Sequence, residues 1–277
     1  MNQPLFQSLG IVLFAMLVLS IPFSSVQAQT FYQYHKSGQL TLYAGGGLSK
    51  YFGELSNDRK LGDVNPHFTL GVSIPIRPKL FVRPEVSFYR LSAADSDLPE
   101  EDSRHNRNLS FKSNNWEASV MAVYGLYAQG SQSLFKPYIM GGVGITYFNP
   151  QAKLDGVWYE LQPLFTEGID YQKFIAVIPV GAGLGFKLNE QIEVALEMSY
   201  RFSFTDYLDD VSMTYRDPLL ITDPIAAALA DRRPEIGLEK APAGSQRGNA
   251  DSNDGYMFMG VKVFYQLPGQ GPLRRKR

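Results

Sequence analysis

The residues that could do chemistry in this chain are few. His35, His67 and His105 are its three histidines. A site acting on lipid or ester needs such a base within hydrogen-bond reach of a nucleophile and an orienting group. His67, where a strand begins, could be imagined beside a loop serine, but no motif accompanies that pairing. The histidines read as ordinary solvated side chains, and no catalytic residue is expected. Asp206, Asp209 and Asp210 offer hard oxygen ligands of the kind calcium takes, but their spacing lacks the glycine and distant glutamate of an EF-hand. Aspartates at the end of a strand also cap and shape turns. No metal and no cofactor are expected. Arg274, Arg275, Lys276 and Arg277 follow Pro268-Gly269-Gln270-Gly271-Pro272. This extended basic tail reads either as a solvated end or as an electrostatic dock for an acidic partner or phospholipid head groups.

The bulk properties restrict what could position these groups. The chain has 277 residues, no cysteine and a net charge of −1. Disulfides, cysteine-based zinc sites and lipidation on cysteine are thereby excluded. The charge argues against a nucleic-acid partner, and no small-molecule substrate is implied. Ile11 to Ile21 is an apolar run, and Val26-Gln27-Ala28 supplies a cleavage pattern, so residues 1–28 read as a signal peptide. A transmembrane anchor is the alternative, but the run is short for a span of about 20 residues. Mean hydropathy is −0.16, with 25 Gly, 16 Tyr and 18 Phe. That balance suits a membrane β-barrel, whose alternating strands average to near-neutral hydropathy.

Alternation supports this choice. From Ile192 to Phe204, the residues Ile192, Val194, Leu196, Met198, Tyr200, Phe202 and Phe204 share one face, and Glu193, Glu197 and Arg201 lie on the other. The same rhythm runs through 68–76, 80–89 and 116–124, and segments 40–48, 137–148, 174–188 and 256–265 complete a set of eight. Gly181, Gly183 and Gly185 on one face allow close approach of bulky neighbours. The expected fold is a closed antiparallel eight-stranded transmembrane β-barrel, since closure leaves no free edge in lipid. The soluble alternative is a lipocalin-like barrel or sandwich.

Sorting the polar faces gives Arg83, Lys187, Arg201 and Lys262 against Glu85, Glu117, Glu193 and Glu197. This even set is expected to form an ion-paired lumen, with Arg201 beside Glu193 or Glu197, because an unpaired buried charge is costly. Tyr200, Phe202, Phe204, Tyr147 and Phe148 are expected in one aromatic girdle, and Tyr138, Phe186 and Tyr265 in the other. The connections at 77–79, 127–136 and 189–190 are short, and those at 49–66, 92–110, 149–173 and 205–254 are long. Such barrels keep short turns in the periplasm and long loops outside, so both termini are expected in the periplasm. The organisation is thus a signal peptide (1–28), a periplasmic segment (29–39), an outer-membrane barrel (40–267) and a basic tail (268–277). Within the last loop, Pro224 to Arg232 predicts a short helix capped by Asp223.

Four stretches carry a family resemblance. Tyr51-Phe52-Gly53-Glu54-Leu55, Arg107-Asn108-Leu109-Ser110-Phe111, Thr205-Asp206-Tyr207-Leu208-Asp209-Asp210-Val211-Ser212 and Arg247-Gly248 occur in an order that resembles PorG-like outer-membrane barrels of the type IX secretion system. Glu54 stands where Asp is more usual. The resemblance implies a non-catalytic component of a protein export machine, in contact with a periplasmic ring of PorK-type and PorN-type proteins. It places that contact at Arg77, Lys79, Asn189, Glu190 and the tail Arg274, Arg275, Lys276 and Arg277. The competing reading is a surface adhesion or membrane-integrity barrel that acts through its outer loops.

Overall fold

The computed structural model describes residues 40–56, 63–127 and 133–267. The signal peptide, the 29–39 segment with His35, and the tail from 268 lie outside the described residues.

Ten strands form one antiparallel sheet: β1 (Thr41–Phe52), β2 (Val64–Arg77), β3 (Leu80–Ala94), β4 (Ser110–Gly125), β5 (Phe135–Tyr147), β6 (Pro150–Leu154), β7 (Val157–Glu160), β8 (Phe174–Lys187), β9 (Ile192–Ser203) and β10 (Gly255–Gln266). Eight of them, β1 to β5 and β8 to β10, follow one another around a closed barrel. The seam is the β1–β10 pairing, which runs without a slip from Thr41↔Gln266 to Phe52↔Gly255. Closure leaves none of these eight strands with a free edge, as a hydrocarbon environment demands. No helix among the described residues is long and apolar enough to cross a membrane.

Sequence parity dictates the walls. In β4, Trp116, Val120 and Tyr124 are exposed, whereas Glu117, Met121 and Val123 are buried. In β9, Leu196, Met198 and Phe202 point out while Glu197, Ser199 and Arg201 point in. The apolar face therefore looks outward, and the polar face lines a lumen only wide enough for side chains.

Two residues expected in the aromatic girdles face inward instead. Tyr138 and Phe148 are buried. Successive strand residues point to opposite faces, so Tyr147 on the outer wall sends Phe148 inside. By the same parity, exposed Ile139 sends Tyr138 into the lumen.

The 149–173 connection carries a hairpin, β6–β7, which hydrogen-bonds to the upper end of β4 at Lys112↔Gln151 and Ser113↔Pro150. Its turn is Asp155-Gly156, both at positive φ (49° and 85°), the pairing a two-residue hairpin turn requires. The last loop contains α1 (Pro224–Ala230), whose cap is Asp223 accepting a hydrogen bond from the Ile225 amide at 2.8 Å. Leu208, Val211 and Leu229 from this loop pack with Tyr51, Tyr89, Phe111, Phe148, Tyr256 and Phe258. The mouth at the long-loop end is thus filled by an apolar plug. A smaller cluster of Tyr43, Met121, Val123, Tyr138, Met140, Ala195 and Phe264 fills the lumen near the short turns.

Candidate functional site

Between the two apolar clusters lies a layer of buried charge. Arg83 Nη1 meets Glu197 Oε1 at 2.8 Å, and Lys262 Nζ bridges Glu85 at 2.8 Å and Glu197 at 2.9 Å. Arg201 lies 3.8 Å from Glu85 and 3.4 Å from Glu117, with its guanidinium 3.7 Å above the Phe258 ring. Three tyrosines complete the carboxylates: Tyr43 donates to Glu85 at 2.8 Å, Tyr138 to Glu197 at 2.6 Å and Tyr256 to Glu117 at 2.8 Å. Three cations thus face three carboxylates, each with further hydrogen-bonding or ring partners. Opposite charge and shared partners are what let charge persist away from water, although Arg83 Nε, Arg201 Nε and Glu117 Oε1 have no hydrogen-bond partner. A cavity of about 10 Å³ among His67, Thr69, Glu197, Ser199 and Arg201 has room for about one water.

The other two members of the expected lumen set sit elsewhere. Lys187 pairs with Glu190 at 3.2 Å, and Glu193 with Lys136 at 2.7 Å, both at the short-turn end and partly exposed. Glu193, Glu197 and Arg201 are spaced four residues apart on one strand, about 13 Å per step. Arg201 therefore cannot reach Glu193 or Glu197, and takes its partners from β3 and β4 across the lumen. His67 is not at the rim: it is buried within β2 and stacks on Phe258 at 4.5 Å. His105 has its Nδ1 3.0 Å from the Leu98 carbonyl oxygen. Neither lies beside a serine in a hydrogen-bonded pair.

The long-loop end holds a second assembly, and the four stretches that carry the family resemblance meet in it. Arg107 donates to Asp95 at 2.6 Å, to the Glu54 carbonyl at 3.1 Å and to the Arg247 carbonyl at 2.6 Å. Arg247 is buried and donates to Glu167 at 2.8 Å and to the carbonyls of Asp210 and Ala230 at 2.5 and 3.1 Å. One arginine thus fixes the loop after β1 to the loop after β3, and the other ties the two longest loops together.

The three clustered aspartates separate. Asp210, at φ 69°, turns towards Thr166 at 2.5 Å and Tyr171 at 2.8 Å, with Arg247 at 3.8 Å. Burial raises its carboxyl to about 6, opposed by the Arg247 charge. Asp206 and Asp209 turn the other way, towards Glu54 and Asp254. Glu54, Asp206 and Asp254 each place a carboxylate oxygen within 4.8 Å of the other two. Burial pushes Asp206 up to about 8, with the Glu54 charge adding to the shift. Asp209 and Asp254 are pushed well up by burial and by neighbouring carboxylates. Glu54 belongs to one of the four resembling stretches, but nothing in the sequence marks Asp254, and 152 and 48 positions separate the two from Asp206. Only the strand order, which sets β9, β10 and β1 side by side, brings them together.

At the short-turn end, Arg77, Lys79, Asn189 and Glu190 are exposed. Asn189 shapes its turn by accepting from the amides of Gln191 and Ile192, both at 2.8 Å. Arg274, Arg275, Lys276 and Arg277 lie outside the described residues.

Residues 16–216 match the outer membrane protein β-barrel domain family, and the chain belongs to that family. No curated protein sequence matches it. Among solved structures, Neisserial surface protein A (NspA) is similar at 10% identity, covering 82% of this chain and 97% of that one with a TM-score of 0.44. The attachment invasion locus protein Ail of Yersinia pestis, in complex with the heparin analogue sucrose octasulfate, is similar at 11% identity, with 83% and 99% covered and a TM-score of 0.41. A major outer membrane protein of Thermus thermophilus is similar at 12% identity, with 83% and 100% covered and a TM-score of 0.41.

Proposed function

We propose that this outer-membrane barrel is a non-catalytic, non-conducting component of type IX protein secretion, which holds a periplasmic ring of PorK/PorN-type proteins at the membrane. The observation that carries the reading is the convergence of all four resembling stretches in one buried network at the long-loop end. Residues so far apart in sequence share a single structural task, so the resemblance extends over a built unit. The filled lumen supports the same reading, because a barrel packed with paired charge acts through its ends.

In this reading the short-turn end faces the periplasm. Arg77 and Lys79 stand exposed there, but two short turns offer little area. An interface of ordinary size, about 800 Å² per partner, would also need the segments 29–39 and 268–277. The test is a pull-down from outer membranes of the parent and two variants. One combines Arg77→Glu, Lys79→Glu and removal of 269–277; the other is Leu219→Ser with Leu220→Ser. Recovery of ring lipoproteins with the parent and the loop variant, and their loss with the periplasmic variant, is the expected result.

A surface-adhesion role is the second reading. Its specific support is apolar exposure in the last loop, where Leu219 is 90% and Leu220 63% exposed. Normal secretion by the periplasmic variant, with loss of a surface phenotype in the loop variant, would favour it.

A further inference from the structure

We propose that Glu54, Asp206 and Asp254, with Asp209 adjoining, form a binding site for one divalent cation of the calcium class at the long-loop mouth. The three chain segments that supply the ligands flank the barrel seam. Glu54 follows β1, Asp206 follows β9 and Asp254 immediately precedes β10. Their mutual oxygen separations, all within 4.8 Å, are short enough for one ion to touch all three, since oxygens bound to calcium at about 2.4 Å stand at most about 4.8 Å apart. Calcium is preferred to magnesium on coordination chemistry: it accepts irregular sets of carboxylate oxygens, whereas magnesium demands near-ideal octahedral geometry and dehydrates reluctantly.

A second observation concerns what these carboxylates lack. Asp206 is only 7% exposed, yet neither of its oxygens receives a hydrogen bond of acceptable geometry. Oδ2 of Asp209, a residue 1% exposed, and the enclosed Oε2 of Glu54 are likewise without a donor. Asp254 accepts from Tyr51 Oη at 2.5 Å and from the Leu208 amide at 2.9 Å, which aims its carboxylate and leaves lone pairs over. Buried polar atoms are nearly always satisfied, and a group of unpaired acids is the costliest exception.

The neighbouring cations are committed elsewhere. Arg104 and Arg107 donate to the backbone carbonyl of Glu54, and Arg247 is held by Glu167 and the Asp210 segment. Among the described residues no ion pair reaches the four carboxylates. Coordination by a dication would supply the missing partner and clamp β1, β9 and β10 at the mouth. Glu54 also lines an open cavity of about 780 Å³, together with Gly53, Ser56, Asn249 and Ser252, which gives an ion a route from solvent.

The experiment uses the barrel purified in detergent, free of lipopolysaccharide and stripped with chelator, then titrated with calcium chloride at pH 7.5. Calorimetry and the unfolding temperature are read together, with magnesium chloride as a parallel arm. The expected result is saturable binding of one calcium per chain, a rise in unfolding temperature, and a weaker response to magnesium. Asp206→Asn should weaken binding by roughly tenfold or more and remove the thermal response, while Glu190→Gln, at the opposite end of the barrel, should change neither. Glu54→Gln, at a partly exposed position, repeats the test if Asp206→Asn does not fold. Absence of saturable calcium binding by the parent, or binding unaltered in both site variants, would overturn the assignment.

Discussion

Tyr138 and Gly183 stand directly opposite each other in the β5–β8 register, and the tyrosine ring occupies the space that a side chain at 183 would need. A Cβ placed there would lie 2.2 Å from the ring. The glycine therefore lets Tyr138 lie flat across the lumen and reach Glu197 at 2.6 Å. Gly183→Val is expected to destabilise the barrel by at least about 1–3 kcal/mol through overpacking, and Tyr138→Ala in the same chain should restore part of the loss. Urea titration, read from the different gel mobility expected of folded and boiled barrel, checks both. An unaltered midpoint for the single variant would show that the ring has somewhere else to go.

Arg201 governs the second prediction. It is 2% exposed by side chain and serves Glu85 and Glu117 together. Arg201→Met leaves Glu117 buried without a cation, while Glu85 keeps Lys262 at 2.8 Å, and should cost about 3–5 kcal/mol. Adding Glu117→Gln should recover part of that cost, because the two changes share one interaction. Equal unfolding midpoints for Arg201→Met and parent would mean that water solvates these charges.

Much of this was legible in the sequence, and the reason is parity. A period of two reports which residues share a wall, so the eight strands, the outward apolar faces and the central charged residues could be read directly. Parity does not report partners across a lumen, which is why Arg201 finds Glu117 rather than a neighbour on its own strand. The β6–β7 hairpin had a readable signal in Asp155-Gly156, set within the long 149–173 connection. The carboxylate group was legible only in part: Glu54 and Asp206 lie in two of the resembling stretches, but Asp254 joins them only through closure of the barrel.

Arg247 is the hub of the long-loop network. Replacing it with Met leaves Glu167 buried without its 2.8 Å partner and releases the Asp210 carbonyl. The expected outcome is rapid proteolysis within 205–254 while the barrel keeps its heat-modifiable migration. Protease resistance equal to that of the parent would show that the loops hold together without this arginine.

Asp102 sets a pH dependence in the loop after β3. Hydrogen bonds from the Arg104 side chain and amide hold its carboxyl down at about 2. A carboxyl whose folded value is depressed favours the folded loop above its ordinary range, near 3.8, and that contribution is lost as pH falls towards about 2. Carboxyl-carbon NMR in micelles should show a midpoint near 2 that rises towards the ordinary range in Arg104→Gln, where only the amide hydrogen bond remains. An ordinary midpoint in the parent would contradict the capping geometry.

The account rests on a lumen closed by side chains, so conductance across a planar bilayer tests it most directly. Purified barrel inserted at neutral pH should give no stable unitary current, because Arg83, Arg201 and Lys262 are locked to Glu85, Glu117 and Glu197 between two apolar layers. Long-lived, uniform current steps from protein of verified fold and purity would contradict it.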